Sequence, residues 1–224
     1  MATFVLIHGA GSDSWYWHLV EPELRARGHD VVAVDLPCDD DSAGLGEYTD
    51  AVVDAIGDRP DDVVVVAQSL GGFTAPLVCE RVPVRLLILV AAMVPAPGES
   101  AGEWWANTMH EFPDGPIEEV FLHDVPPDVA AESAAHVRGE SRKAFEEPWP
   151  LERWPDVPTR FLLCRDDRLF PPDFQRRVVA ERLGIVPDEM DGGHLPALAH
   201  PKELAARLAA YWSELPGKAK GSSP

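Results

Sequence analysis

A run of four valines, Val63 to Val66, leads through Ala67 and Gln68 into Ser69-Leu70-Gly71-Gly72. An apolar run without alternation has no solvent side. It therefore reads as a strand covered on both faces, the condition of a parallel sheet between two helical layers. Beyond it, Phe73 to Arg81 has helical length. A serine at a strand end, followed two residues later by glycine and then by a helix, is the arrangement of a nucleophile elbow. The chain turns so tightly there that the serine is held in a strained backbone geometry, its hydroxyl lifted clear of the sheet. Strand and helix backbones nearly touch, which demands small residues on both sides. Gly71 supplies one, whereas Ala67 stands where the usual pattern has glycine and adds a methyl group. Read alone, Ser69 has a competing role as a helix cap.

The rest of the chain supplies the sheet that such an elbow needs. Phe4–Ile7 is a short apolar strand ending in the glycine-rich turn His8-Gly9-Ala10-Gly11-Ser12, and a helix is predicted from Trp17 to Arg27 with Gly28 as its stop. Val31–Val34 reads as a second buried strand, Leu45–Ile56 as a helix, and Leu86–Ala92 as the strand after the elbow. The rhythm then breaks. Residues 95–158 are rich in proline and tryptophan, with weakly amphipathic pieces near Ser100–Thr108, Ile117–His123, Pro127–Arg138 and Ser141–Glu147 and no evident strand. Phe161–Cys164 resumes the strands, followed by a helix from Pro172 to Leu183, a short strand near Ile185–Met190 and a last helix from Pro201 to Leu215. Strands alternating with helices argue for an α/β fold, a mostly parallel sheet with helices on both faces. The expected organisation is a core of residues 1–94 and 159–216, a small helical cap inserted at 95–158, and a flexible polar tail at 217–224.

Composition excludes several classes of function. Nineteen basic against 38 acidic residues give a formal charge of −19, a surface that repels nucleic-acid phosphates and anionic lipid. Three scattered cysteines, Cys38, Cys79 and Cys164, suit neither a disulfide framework nor a zinc site. Met1-Ala2-Thr3 runs straight into a strand without the parts of a signal peptide, and no apolar run approaches membrane-spanning length, so a soluble cytoplasmic protein is expected.

Ligand sites in parallel α/β sheets form beyond the carboxyl ends of the strands. The loops His8–Ser12, Gln68–Leu70, Asp166–Arg168 and Gly192–His194 fall there and supply a serine, an acid and a histidine in that order. The order Ser, Asp, His is the one used by α/β-hydrolases. A serine hydroxyl is a weak nucleophile until an imidazole accepts its proton, and the imidazole needs a carboxylate to fix its tautomer. His194, in a Gly-Gly-His turn between the last strand and the last helix, is the candidate base. His8 is expected to order the glycine-rich loop, and His18, His29, His110, His123 and His136 read as surface or cap residues. No carboxylate ends the strand Leu86–Ala92, which leaves the acid to Asp166 or Asp167. Backbone amides of Leu70 and of the His8–Ser12 loop, there assigned to Ala10, are the candidate oxyanion donors. The glycine-rich loop lacks the lysine of a P-loop, so phosphate binding is not indicated.

These stretches together resemble a group of small α/β-hydrolases, the plant methylesterase, salicylate-binding and hydroxynitrile lyase family with its bacterial relatives. The similar segments are Phe4–Ala10 with Trp15 and Trp17, Gln68–Gly72, Asp167–Pro171 with Phe174-Gln175, and Gly192–His194. The resemblance implies the α/β-hydrolase fold, Ser69 as nucleophile, Asp167 as the acid, His194 as base, and Ala10 and Leu70 as oxyanion donors, with neither cofactor nor metal. In the lyase branch a lysine follows the catalytic histidine. Leu195 occupies that position here, which favours ester hydrolysis over lyase chemistry. A small-molecule binding protein that keeps the triad but turns over slowly is a third reading, which turnover rate decides. Trp104, Trp105, Phe121, Phe170 and Leu195 are expected to wall an apolar pocket. The expected partner is a small, largely apolar carboxylic ester, a methyl ester or lactone falling in that class, with a homodimer as the assembly left open.

Overall fold

The computed structural model describes residues 1–59 and 62–216. The tail expected at 217–224 lies outside them. Six strands, β1 (Thr3–Ile7), β2 (Asp30–Val34), β3 (Val63–Gln68), β4 (Val84–Val90), β5 (Thr159–Cys164) and β6 (Asp188–Met190), form one sheet in the order β2-β1-β3-β4-β5-β6. Every pairing is parallel. The valine run lies at the centre, with Val64, Val65 and Val66 wholly inaccessible to solvent. Burying a side chain of this size stabilises by about 1.5–3 kcal/mol.

Because side chains alternate across a strand, each strand feeds two cores. On one face Val5, Ile7, Val65, Leu87, Leu89 and Leu163 meet helices Leu45–Ile56, Gly71–Cys79 and Pro172–Leu183. On the other, Phe4, Leu6, Val64, Val66, Ile88 and Leu162 meet helices Val20–Ala26 and Pro201–Glu214. The lack of alternation in the sequence follows directly from this double coverage.

Three local expectations are corrected. β2 is an edge strand, and its Val32 and Ala33 are half-buried rather than enclosed. The helix expected from Trp17 to Arg27 divides into a 3-10 turn, Ser14–Trp17, and an α-helix, Val20–Ala26; Asp13 caps the first by accepting the Trp15 amide proton. The strand after the elbow ends at Val90, where Ala91 adopts φ +43° and turns the chain away.

Between β4 and β5 lie helices Ala101–Asn107, Ile117–Phe121, Pro127–Ser133 and Arg142–Glu146 and no strand among the described residues. Ser100 and Glu103 form a reciprocal capping box that starts the first of these. Arg182 pairs bidentately with the buried Glu99 and also donates to the Val94 carbonyl, tying the start of this segment to helix Pro172–Leu183.

From β1 the chain moves outward to β2, then returns to the other side of β1 with β3. The strand order thus reverses between β1 and β3, and such a switch point opens a crevice at the carboxyl ends of the two strands. Ile7 and Ala67 are level there, so the His8–Ser12 loop and Ser69 emerge side by side.

Candidate active site

Ser69 takes φ +51°, in the left-handed region that non-glycine residues rarely occupy. The strain is held by neighbours. Its carbonyl accepts the amide protons of Gly72 at 3.1 Å and Met93 at 2.9 Å. Glycines surround it because nothing larger fits. A Cβ at Gly72 would lie 1.9 Å from the Met93 carbonyl oxygen, one at Gly71 2.9 Å from that of His8, and one at Gly9 2.7 Å from the Ser69 Cβ. Ala67 is fully buried at the position usually held by glycine, and its methyl group is accommodated.

The turn between Asp191 and His194 brings the imidazole over this serine. His194 Nε2 is 3.0 Å from Ser69 Oγ, and Nδ1 is 2.9 Å from Asp167 Oδ2. A carboxylate can only accept, so Nδ1 carries the proton and Nε2 is the acceptor for the serine hydroxyl. The His194 and Asp167 side chains are 1% and 0% exposed. Asp167 Oδ1 accepts the amide protons of Leu169 and Phe170, each at 2.9 Å, and Gln175 donates to the second oxygen at 3.4 Å. Asp166, by contrast, is exposed and accepts the Gly192 amide proton at 3.1 Å. Of the two adjacent aspartates, Asp167 faces the ring.

Ser69, His194, Leu70 and Ala10 open onto a cavity of about 920 Å³. Of the residues named from the sequence as pocket candidates, Trp105, Phe121, Phe170 and Leu195 are among those that line it. Phe121 and Phe170 pack on the His194 ring in T-shaped arrangements, with ring centroids 5.5 and 5.1 Å apart. Trp104 is the exception. It is not among the lining residues but points the other way, 1% exposed, donating its indole N–H to the Val94 carbonyl at 3.0 Å and packing on Phe170 and Phe174. Successive residues on a helix project about 100° apart, so Trp104 enters the core while Trp105 reaches the cavity.

The alpha/beta hydrolase family matches this chain over residues 4–207. The chain belongs to the alpha/beta hydrolase family. Among relatives, Methylesterase 7 of Arabidopsis thaliana is 28% identical over 92% of this chain and 94% of its own length. Salicylic acid-binding protein 2 of Nicotiana tabacum is 27% identical over 92% and 95%. In fold, the crystal structure of a pyrethroid hydrolase from Sphingobium faniae JZ-2 covers 95% of this chain and 98% of its own, with a TM-score of 0.77 at 23% identity.

Several residues of this alpha/beta hydrolase gain partners that no local pattern announces. His8 is buried, which lowers its pKa below the ordinary value, although donation to the Gly9 carbonyl at 2.8 Å pulls the other way. Its Nε2 accepts the Leu36 amide proton at 3.3 Å and so ties the glycine-rich loop to the end of β2. Gln68 donates across the site to the His194 carbonyl at 3.0 Å; its place beside Ser69 was the available signal. His110 and His136, read from the sequence as surface or cap residues, are half-buried and line the cavity, and the His136 ring stacks on Trp15 at 4.4 Å. Among the described residues, no group of three or more His, Cys, Asp or Glu could hold a metal ion, and no helix is long and apolar enough to cross a membrane.

Proposed function

We propose that this protein is a carboxylic ester hydrolase that acts through an acyl-enzyme on Ser69. The observation that carries the reading is the unbroken chain Asp167–His194–Ser69, hydrogen-bonded at 2.9 and 3.0 Å, ending in the wall of a large apolar cavity. Ser69 Oγ attacks the ester carbonyl while its proton passes to His194 Nε2. The amides of Ala10 and Leu70, which flank the serine at the cavity wall, donate to the developing oxyanion. His194 then protonates the departing alkoxide, and the alcohol leaves. A water, giving its proton to the same nitrogen, attacks the acyl-enzyme. His194 passes that proton to Ser69 Oγ as its bond to the acyl group breaks, which frees the acid and restores the serine hydroxyl. Asp167 holds the ring in the required tautomer and stabilises its charged form.

The cavity refines the substrate. A volume of about 920 Å³ is near the upper end for small-molecule sites, so the ester is bulkier than an acetate. No lysine or arginine lines it among the described residues, which favours an uncharged ester and leaves the product carboxylate without a counter-ion. Residues 95–158 act as the cap that walls it. Methylesterase names among the relatives agree with this class. Lyase chemistry is the less suited alternative, since Leu195 at the cavity wall offers no cation to a leaving anion.

The test is a panel of p-nitrophenyl and methyl esters of increasing acyl size, run on the wild type and Ser69→Ala. Loss of the hydroxyl should cost on the order of 10³-fold or more with the fold intact. A fluorophosphonate should label Ser69 in the wild type. Hydrolysis by Ser69→Ala at the wild-type rate overturns the assignment, and a labelled protein without measurable turnover on the whole panel points to a binding protein instead.

A further inference from the structure

From the segment that walls the cavity, Asp124 reaches across to the loop that carries His194. Its Oδ2 accepts the amide proton of Gly193 at 2.6 Å, one residue before the histidine. The Asp124 side chain is 18% exposed, and its Oδ1 is buried without a partner, as is Nδ1 of the neighbouring His123. Both press on the same spot. A Cβ at Gly193 would lie 2.7 Å from Asp124 Oδ1 and 2.7 Å from His123 Cε1. Gly193 does not have a positive φ, so it is glycine for want of space and not for its backbone angle. On the far side His200 Nε2 lies 3.5 Å from Asp124 Oδ2, and the same ring closes on Gly192, where a Cβ would come within 2.5 Å.

The backbone on either side of His194 is thus held from three directions. Asp166 takes the Gly192 amide, Gln68 takes the His194 carbonyl, and Asp124 takes the amide between them. We infer that Asp124 is a positioning residue for His194, an inference that rests on the reading of His194 as general base. A hydrogen bond from an amide to a carboxylate is shorter and stronger than a neutral one. Here it sets the direction in which the chain enters His194, while Asp167 fixes only the far end of the ring. Phe121 lies three residues before Asp124, lines the cavity and meets the His194 ring at 5.5 Å. The segment that lines the cavity is therefore the one that holds the loop carrying the base.

The experiment measures kcat, KM and melting temperature for Asp124→Ala, Asp124→Leu and Asp124→Asn on p-nitrophenyl butyrate, together with the rate of fluorophosphonate labelling. Both deletions should lower kcat about ten- to hundredfold, the scale of a misplacement near 1 Å, with KM within about twofold and labelling slowed in parallel. Asparagine keeps an oxygen for the Gly193 amide, so Asp124→Asn should return kcat to within about fivefold of the wild type. Wild-type kcat in the deletions, a loss confined to KM, or no rescue by asparagine overturns the inference. Failure of both deletions to fold overturns it in favour of a purely structural role. A wild type that neither labels nor hydrolyses removes the base role of His194 and this inference with it.

Discussion

Asp167→Asn changes one atom and tests the electrostatics of the site. Asp167 Oδ1 accepts two amide protons, from Leu169 and Phe170, at 2.9 Å, and Oδ2 accepts from His194 Nδ1 at 2.9 Å. An asparagine has one oxygen for these two sides. Turning its NH₂ toward the amides would leave both buried N–H groups facing donors, at about 1–3 kcal/mol each. The oxygen therefore stays with the amides, and the NH₂ faces the histidine and the Gln175 amide, which already donates there. His194 can then meet the NH₂ only through an unprotonated Nδ1. Its proton moves to Nε2, the nitrogen that must accept from Ser69. The same substitution in a serine protease triad costs about 10⁴ in turnover, and 10³ to 10⁴ is expected here, about 4–5.5 kcal/mol of barrier. The control is Asp166→Asn. Asp166 is exposed and accepts the Gly192 amide proton, a bond that asparagine can keep, so the loss should stay within about tenfold. Both variants are compared by kcat/KM on one activated ester, with melting curves to verify folding. An Asp167→Asn enzyme within tenfold of the wild type, or an Asp166→Asn enzyme crippled in its place, would refute the reasoning.

Gly72→Ala should destabilise the protein by about 1–3 kcal/mol or more and lower activity, because the new methyl group would meet the Met93 oxygen at 1.9 Å and Met93 donates to the Ser69 carbonyl; an unchanged melting temperature sinks this. Gly46→Ala, with nothing within 4 Å in helix Leu45–Ile56, should instead stabilise by about 0.5–1 kcal/mol in the same melts. Burial lowers the His8 pKa below its ordinary 6.5. As pH falls through that value the unfolded chain binds a proton there before the folded chain does, so stability present above 6.5 is lost on acidification. Urea midpoints at neutral and mildly acidic pH should therefore fall less for His8→Gln than for the wild type, and an equal fall would remove His8 as the cause.

Much of the fold was legible because it is written in short-range patterns. The valine run could only be a strand covered on both faces, and the parallel sheet with its two cores follows. Edge position was not legible. Val31–Val34 is as apolar as a central strand, and only the strand order leaves half of it uncovered. The chemistry-bearing loops could be named because a parallel sheet sends the ends of its strands to one side.

Direction at those ends is another matter. Asp166 and Asp167 are chemically identical neighbours in the sequence, and so are Trp104 and Trp105. The amide hydrogen bonds that orient Asp167 toward His194, and the Val94 carbonyl that draws Trp104 inward, come from the folded backbone. The grip of Asp124 on Gly193 joins residues 69 apart. Composition and periodicity determined which segments form the sheet and which residue types gather at its end. Residue pattern alone left open which of two like neighbours faces the site, because a side chain's direction at a turn depends on which groups the folded backbone brings within its reach: the amides of Leu169 and Phe170 for Asp167, the Val94 carbonyl for Trp104.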